Sequence, residues 1–417
     1  MTTFRRAVHS GLSKASSEGN VEIRFSSGSG GNVFDTAARA YADFVLGYGS
    51  VVVGHADVSF NAHVAAALAS GTMLPGYSEP HEELLSLLLG NSSPDLRAAF
   101  FKSGSEAVTA ALRLTACHSS KLGVVRCGFV GWHDAALGRS VRWHEPLYSP
   151  LRHGARFAEG FRGIEGKEAV FNWSTLDVSE LELIFDQHQD VVGTFILDAY
   201  QARFCGTQVL EAALDLCRRR GILVVLDNTK LSGRVSPLGF IPGSSLWGDL
   251  VIVGKALGNG LPISILFGAS DLMTRSEEVR ITGTFASELS SIHGALWSYH
   301  HMHATDGYRR LLKSGGEIAA HFRSAISEAS LEDYVSVDDI FGGAMFEVSF
   351  DARIVGDWAA REALQMHLAS AGVLILQGHC SYPCIAHLEL DWARVAEGLR
   401  AGLSNWRDRL PGRPPST

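Results

Sequence analysis

Four groups of residues in this chain have the types and spacing to do chemistry together. The first centres on Lys255. A short apolar, β-branched run, Leu250-Val251-Ile252-Val253, stops at Gly254 and this single lysine, and the glycine-rich turn Gly258-Asn259-Gly260 follows at once. A run of this length between turn signals reads as a buried strand. Lys255 then stands just past the strand's carboxyl end, where open α/β sheets bind ligands. It is either a reactive amine or a side chain reaching from a strand end to water. The second is Asp227, a carboxylate closing the β-branched run 222–226. The third is Ser103-Gly104-Ser105-Glu106, in which Ser103 and Glu106 match a capping box that opens a helix. Strand, small-residue turn and helix N-terminus together can hold a phosphate, through unpaired backbone N–H groups, the Ser105 hydroxyl and the positive end of the helix dipole. An ordinary capped helix has the same signature. The fourth is Trp132 in the loop Gly131-Trp132-His133-Asp134, either a ring that stacks on a ligand or a core tryptophan.

The elements that must position these groups follow from periodicity. Strands are expected at 98–101, 122–127, 191–197, 222–226 and 250–253, and helices at 58–68, 82–89, 103–116 and 210–220, the last closed by Arg218-Arg219-Arg220 and Gly221. Strands alternating with helices, with polar residues at the strands' carboxyl ends, predict an α/β fold with a mostly parallel sheet flanked by helices. Two short strands around a turn are expected at 33–35 and 41–45, after a polar helix or arm and a loop over residues 1–31, and a loop is expected at 48–55. Beyond residue 300 the pattern changes, and strands at 344–350 and 373–376 among helices predict a smaller α+β C-terminal domain. The expected boundaries are 1–57 for an N-terminal segment packing with the small domain, 58–300 for the large domain, 301–410 for the small domain and 411–417 for a disordered tail. No firm structure is assigned to 139–170.

Composition narrows the function classes. With 417 residues, 46% hydrophobic and a net charge of −8 with both signs dispersed, the chain has an ample core and no nucleic-acid footprint. No apolar run is long enough to span a bilayer. The basic start lacks the apolar stretch of a secretory signal. The six cysteines show no paired metal spacing; Cys380 and Cys384 lie near His379 and His387, but reduced, buried thiols in a cytoplasmic protein are the expectation. No G-x-G-x-x-G opens a helix after the first strand, which disfavours a nicotinamide dehydrogenase.

An amine, a strand-end carboxylate, a loop aromatic and a helix terminus form the set that pyridoxal 5′-phosphate needs. The amine forms a Schiff base, the carboxylate keeps the pyridine nitrogen protonated, the aromatic stacks and the helix terminus takes the phosphate. From about residue 20 to 390 the sequence resembles the class III aminotransferases among the fold type I pyridoxal-phosphate enzymes. It is most similar to their glutamate-1-semialdehyde aminomutase branch. The stretches that carry this are FFKSGSEAVTAALRL, GFVGWHDA, DLVIVGKALGNGLPIS, GTF at 283–285 and FGGAMFEV at 341–348. The resemblance implies Lys255 as the Schiff-base lysine and proton shuttle, and Asp227 as the pyridinium partner. It implies Gly104 and Ser105 as phosphate ligands and Trp132 as the stacking aromatic. Thr284 resembles the threonine that reaches the phosphate from a neighbouring subunit, which implies a homodimer with shared active sites. Arg24 and Tyr48 fall where the branch places a carboxylate-binding arginine and a substrate-side aromatic.

The chain departs from the family near the expected cofactor site. Asp198-Ala199 stands for Glu-Pro, Asp227-Asn228-Thr229 for Asp-Glu-Val, Leu231-Ser232-Gly233-Arg234 for Thr-Gly-Phe-Arg and Glu288-Leu289 for Asn-Pro, and Lys102 replaces an asparagine. The expected function is an aminotransferase acting between an amino acid or amine and a carbonyl acceptor. An isomerase using the same lysine, an aminomutase or a racemase, is the second expectation. A cofactor-binding relative without activity is the third.

Overall fold

The computed structural model describes residues 17–18, 21–90, 95–133, 170–239, 247–376 and 379–410. The expected N-terminal arm through residue 16, the irregular segment 139–169, Asp134 and the tail 411–417 lie outside the described residues. The chain forms two compact units, Ala62–His301 and Met1–Asn61 with Met302–Thr417.

The unit formed by Ala62–His301 is built on a seven-stranded sheet. Its strands are β1 (Leu96–Phe101), β2 (Gly123–Cys127), β3 (Val170–Asn172), β4 (Val192–Asp198), β5 (Leu223–Asp227), β6 (Leu250–Gly254) and β7 (Ser264–Ala269), in the spatial order β1-β7-β6-β5-β4-β2-β3. Strands β3, β2, β4, β5 and β6 pair in parallel, while β7 runs antiparallel to both β6 and β1. All seven residues of β4 and all five of β6 are buried. Continuous apolar runs are what strands covered on both faces require. Helices α1 (Gly104–Ser119), α2 (Val178–Gln187) and α3 (Thr207–Arg220) supply the crossovers, and α1 lays Val108, Ala111, Leu112 and Leu114 on the sheet against Val225, Ile252 and Leu266.

Most expected elements appear, with corrections. The helix expected from Glu82 begins at Glu79, because Ser78 caps it and Pro80 fits its first turn, where no N–H is needed. Strand β7 was not anticipated and is the one reversal among the described strands of the sheet.

In the second unit Val373–Leu374 lies parallel to Ala40–Asp43, which continues antiparallel to Asn32–Asp35 and then Phe25–Ser29. Residues 25–29 are therefore strand, where a loop was expected. A hairpin joins Val335–Ile340 to Met345–Phe350. Its first strand escaped notice because Asp338 and Asp339 interrupt the apolar alternation. Phe44, Phe322, Phe346, Leu399 and Trp406 centre the core of this unit. The loop expected at 48–55 begins instead with a left-handed turn: Leu46, Gly47 and Tyr48 have φ of 46°, 58° and 56°. Asp43 imposes it, its carboxylate accepting hydrogen bonds from the amides of Val45 at 2.8 Å and Leu46 at 3.0 Å.

Candidate active site

Lys255 is presented by β6. Burial of Val251, Ile252 and Val253 fixes the strand in the middle of the sheet. The chain then turns sharply at the lysine, whose φ of 50° is left-handed. For a non-glycine residue this conformation costs on the order of 1–3 kcal/mol and persists only where its surroundings enforce it. They do so through Ser232, whose hydroxyl accepts from the Gly254 amide at 3.0 Å and donates to the Gly254 carbonyl at 3.1 Å. Gly233 then crosses the turn so closely that a Cβ there would sit 2.7 Å from the Leu257 nitrogen, and its own φ is +73°. The loop 231–234, unlike the family's segment, is thus the clamp that holds the lysine's backbone.

Asp227 ends the adjacent strand. It is paired in register with Ile252 of β6, three residues before Lys255, and with Asp198 of β4. Its side chain is buried, and one oxygen accepts the Thr229 amide at 3.0 Å. Burial and the nearby Asp198 carboxylate push its pKa above the ordinary carboxylate range, against the pull of Thr229 and Lys230. Lys230 forms a buried ion pair with Asp198, Nζ to Oδ2 at 2.5 Å, and its ammonium lies 4.8 Å from the ring centre of Tyr200 and 5.5 Å from that of Phe129. Beside these strand ends, the side-chain amides of Asn228 and Gln201 are buried with no hydrogen-bond partner on either polar atom. Unpartnered amides of this kind cost on the order of 1–3 kcal/mol each.

The N-terminus of α1 supplies the third part. Ser103 caps it: the Glu106 amide donates to the Ser103 hydroxyl at 3.4 Å, and the Glu106 carboxylate accepts the Ser103 amide at 2.8 Å. The amides of Gly104 and Ser105, in the first turn, have no acceptor within the helix. Gly104 faces the loop after β5, where a Cβ would stand 3.1 Å from Thr229 Cγ2, so a side chain would crowd the gap between helix and strand end. Ser105 Oγ accepts the Trp132 amide at 3.2 Å. The Trp132 indole itself is 67% exposed and meets His133 edge-on. Lys102 and Glu288, both departures from the family pattern, pair with each other at 2.9 Å, and Lys102 also donates to Ser291 at 2.7 Å.

The structure thus brings Lys255, Asp227, Gly104, Ser105 and Trp132 to the carboxyl ends of one sheet. Thr284 belongs to the same unit and is exposed, with Gly283 and Phe285 beside it. Arg24 and Tyr48 belong to the other unit: Arg24 is exposed, and Tyr48 is half-buried in the left-handed turn, its ring 6.1 Å from that of His379. Cys380 and Cys384 are buried; His387 accepts the Cys384 amide at 3.0 Å, and burial pushes its pKa down to about 4. The sequence reading missed Lys230, Gln201 and the clamp made by Ser232.

Comparisons with known proteins bear on this arrangement. The family model described as "Aminotransferase class-III" matches residues 13–386. The chain is 26% identical to 2'-deamino-2'-hydroxyneamine transaminase of Streptomyces kanamyceticus over 361 residues, covering 85% of this chain and 84% of that protein. It is also 26% identical over 395 residues to glutamate-1-semialdehyde 2,1-aminomutase of Anaeromyxobacter dehalogenans, with 89% and 88% covered. Its fold matches a transaminase solved with PLP bound, with a TM-score of 0.79 at 19% identity over 94% and 93% of the two chains. An omega-transaminase from Sphaerobacter thermophilus gives 0.77 at 19% identity over 93% of each chain. The family match runs through both units, and the chain therefore belongs to the class III aminotransferases, pyridoxal-phosphate-dependent enzymes of fold type I.

Proposed function

We propose that the chain transfers an amino group from an amino acid or amine to a carbonyl acceptor, using Lys255 as its catalytic base and Asp227 as the partner of the cofactor's ring nitrogen. The observation that carries this reading is the placement of Lys255 and Asp227 at the ends of adjacent parallel strands, beside a helix terminus with unused amides. The donor set fits pyridoxal 5′-phosphate. Gly104 and Ser105 leave a narrow cradle for the phosphate, Asp227 is a buried acceptor for a cationic ring nitrogen, and the unpartnered amides of Asn228 and Gln201 leave polar groups for a ligand to meet. When bound, the cofactor supplies an aldehyde that captures amines and a protonated ring that takes up the electron pair left by a departing proton.

The chain's own residues do the rest. Lys255 Nζ would hold the cofactor between turnovers and, as a free amine, would take the proton from the donor's α-carbon. Asp227, ionised, holds the ring nitrogen's proton in place. The first turn of α1 and Ser105 anchor the phosphate so that the reacting carbon stays beside Lys255. Trp132 would cover one face of the ring.

We read Thr284 as a phosphate contact given across a homodimer, since Thr284 and Phe285 are exposed in the single chain. Arg24 and Tyr48 are the substrate-side residues in this reading, Arg24 by pairing with a carboxylate. A cytoplasmic location completes it.

The test is a single-turnover assay with no acceptor present. Purified protein loaded with pyridoxal phosphate is mixed with a panel of amino acids and amines, and the carbonyl product is quantified. One equivalent per site from some donor is the expected result. Formation of an isomeric amine from a single amino-carbonyl substrate, without net carbonyl release, favours the aminomutase reading, which the likeness to the Anaeromyxobacter enzyme supports. Neither product from any donor would count against both.

A further inference from the structure

We propose that Lys230 is a positioning residue: its ion pair with Asp198 cancels the charge beside Asp227, so that Asp227 keeps its own negative charge for a bound cofactor's ring nitrogen. The proposal rests on the reading of Asp227 as that partner. Its geometric basis is the register of the sheet. Asp198 and Asp227 are opposite each other at the ends of β4 and β5, and residues in register project from the same face of a sheet. They are 1% and 4% exposed. Two carboxylates held together away from water cannot both ionise unless a cation sits with them.

Lys230 is that cation. It follows Asp227 by three residues, in a loop drawn back on itself by the Leu231 and Ser232 amides, which donate to the Asn228 carbonyl. Its Nζ contacts Asp198 Oδ2 at 2.5 Å, with the two side chains 5% and 2% exposed. The faces of Tyr200 and Phe129 lie against the ammonium and attract its positive charge. Two acids and one base leave one net negative charge, and the short contact assigns the neutralised member to Asp198. Other ionisable groups around this cluster are Arg126 and Cys127 of β2, Glu180 of α2, and Arg203 and Cys205 of the short helix Ala202–Cys205 after β4, Arg203 donating to the Tyr200 hydroxyl at 2.9 Å. Burial holds the thiols of Cys127 and Cys205 neutral. Burial and Asp198 push the Asp227 carboxyl up while Lys230 pulls it down, which is the sign the proposal needs.

The experiment compares the wild type with Lys230→Met, Asp198→Asn and the double variant. In cofactor-free protein the carboxyl carbon of Asp227 is titrated by NMR, its signal assigned with Asp227→Asn. The pH dependence of pyridoxal phosphate binding is then measured on the same proteins. Lys230→Met should raise the Asp227 midpoint by about one pH unit or more and carry the onset of tight cofactor binding with it. Asp198→Asn should lower the midpoint, because Lys230 then serves Asp227 alone. The double variant should return close to wild type. Should Lys230→Met fail to fold, the downward shift in Asp198→Asn decides. An Asp227 midpoint that is unchanged in these variants, even if their melting temperatures move, would make the pair purely structural and overturn the proposal. If the midpoints shift as expected but Asp227→Asn binds and turns over cofactor like wild type, the charge coupling stands and the reading of Asp227 as the ring's partner fails.

Discussion

The candidate site has two regions that differ in how they are held. Asp227 and Asp198 are buried at strand ends fixed by sheet register, and Lys230 and Ser232 are buried in the loop that follows β5. Gly104, Ser105, Trp132 and Thr284 lie on a helix turn and loops, and Trp132 and Thr284 are exposed. Each region contains an ion pair of nearly the same length. Lys230–Asp198 spans 2.5 Å with almost no solvent access, and Lys102–Glu288 spans 2.9 Å with each side chain 19% exposed. Distance therefore does not separate them; water does. In the buried region charge states are set by neighbours and a missing partner cannot be replaced. At the rim, solvent substitutes for much of what is removed.

The sharpest test of this contrast is Lys255→Ala, which should lower turnover by on the order of 10⁴-fold while leaving thermal unfolding nearly unchanged, in a coupled assay beside a melting curve. Asp227→Asn should lower kcat/KM by on the order of 10²–10³-fold, an effect of the size found when a preorganised electrostatic partner is removed. The same variant should match or exceed wild type in stability, because a buried carboxylate beside another is lost. The stability of the two pairs should then divide by burial in urea titrations. Lys230→Met should cost about 3–5 kcal/mol by stranding Asp198, and Lys102→Met about 1 kcal/mol or less. A Lys102 variant as damaging as the Lys230 variant would break the comparison. Ser105→Ala, which removes one buried hydroxyl from the first turn of α1, should weaken pyridoxal phosphate binding by about tenfold in a fluorescence titration.

The smallest effects are in pH dependence, and they differ in sign. Burial raises the Glu288 carboxyl, but hydrogen bonds from Ser290 and Lys102 outweigh it and bring the pKa down to about 2. A carboxyl lowered on folding adds stability that is present above its unfolded pKa and is lost as pH falls toward 2. Asp227 is raised, so its contribution is present in acid and is lost as pH rises through its folded pKa. His387, lowered by burial to about 4, behaves as Glu288 does and loses stability as pH falls from the ordinary histidine value toward 4. Melting temperatures across pH should show the wild type's advantage over Glu288→Gln growing as pH rises from acid, and its difference from Asp227→Asn moving against the wild type. Parallel curves would remove the distinction.

Lys255 and Asp227 were legible in the chain because each closes a run of β-branched residues, and a buried strand has few other sequence forms. The capping box at Ser103 and Glu106 was legible for a similar reason: its partners are three residues apart. Lys230 was not. It sits in a short polar loop without periodicity, and its partner, 32 residues away in sequence, is reached only through the register of β4 and β5. Lys102 and Glu288 stood out as separate departures from the family, but their pairing exists only in three dimensions. The left-handed turn at Leu46–Tyr48 runs against the preference of leucine and tyrosine, and hydrogen bonds from the Val45 and Leu46 amides to the Asp43 carboxylate and from the Ser50 hydroxyl to the Gly47 carbonyl account for it.

The antiparallel strand β7 has a consequence for how the protein is made. Among the described residues, strand β1 lies at the edge of the sheet and its sole sheet neighbour is β7, paired through Phe101↔Ser264 and Leu96↔Ala269. A ribosome synthesises β1 and the helix that follows it long before β7. The strand that delivers the helix terminus of the site waits without a pairing partner while most of the unit is translated. Contacts of such sequence separation form late and slowly. Strand β7 is made directly after β6, so the lysine's strand and the partner that docks the helix terminus onto the sheet become available together, late in the unit's translation.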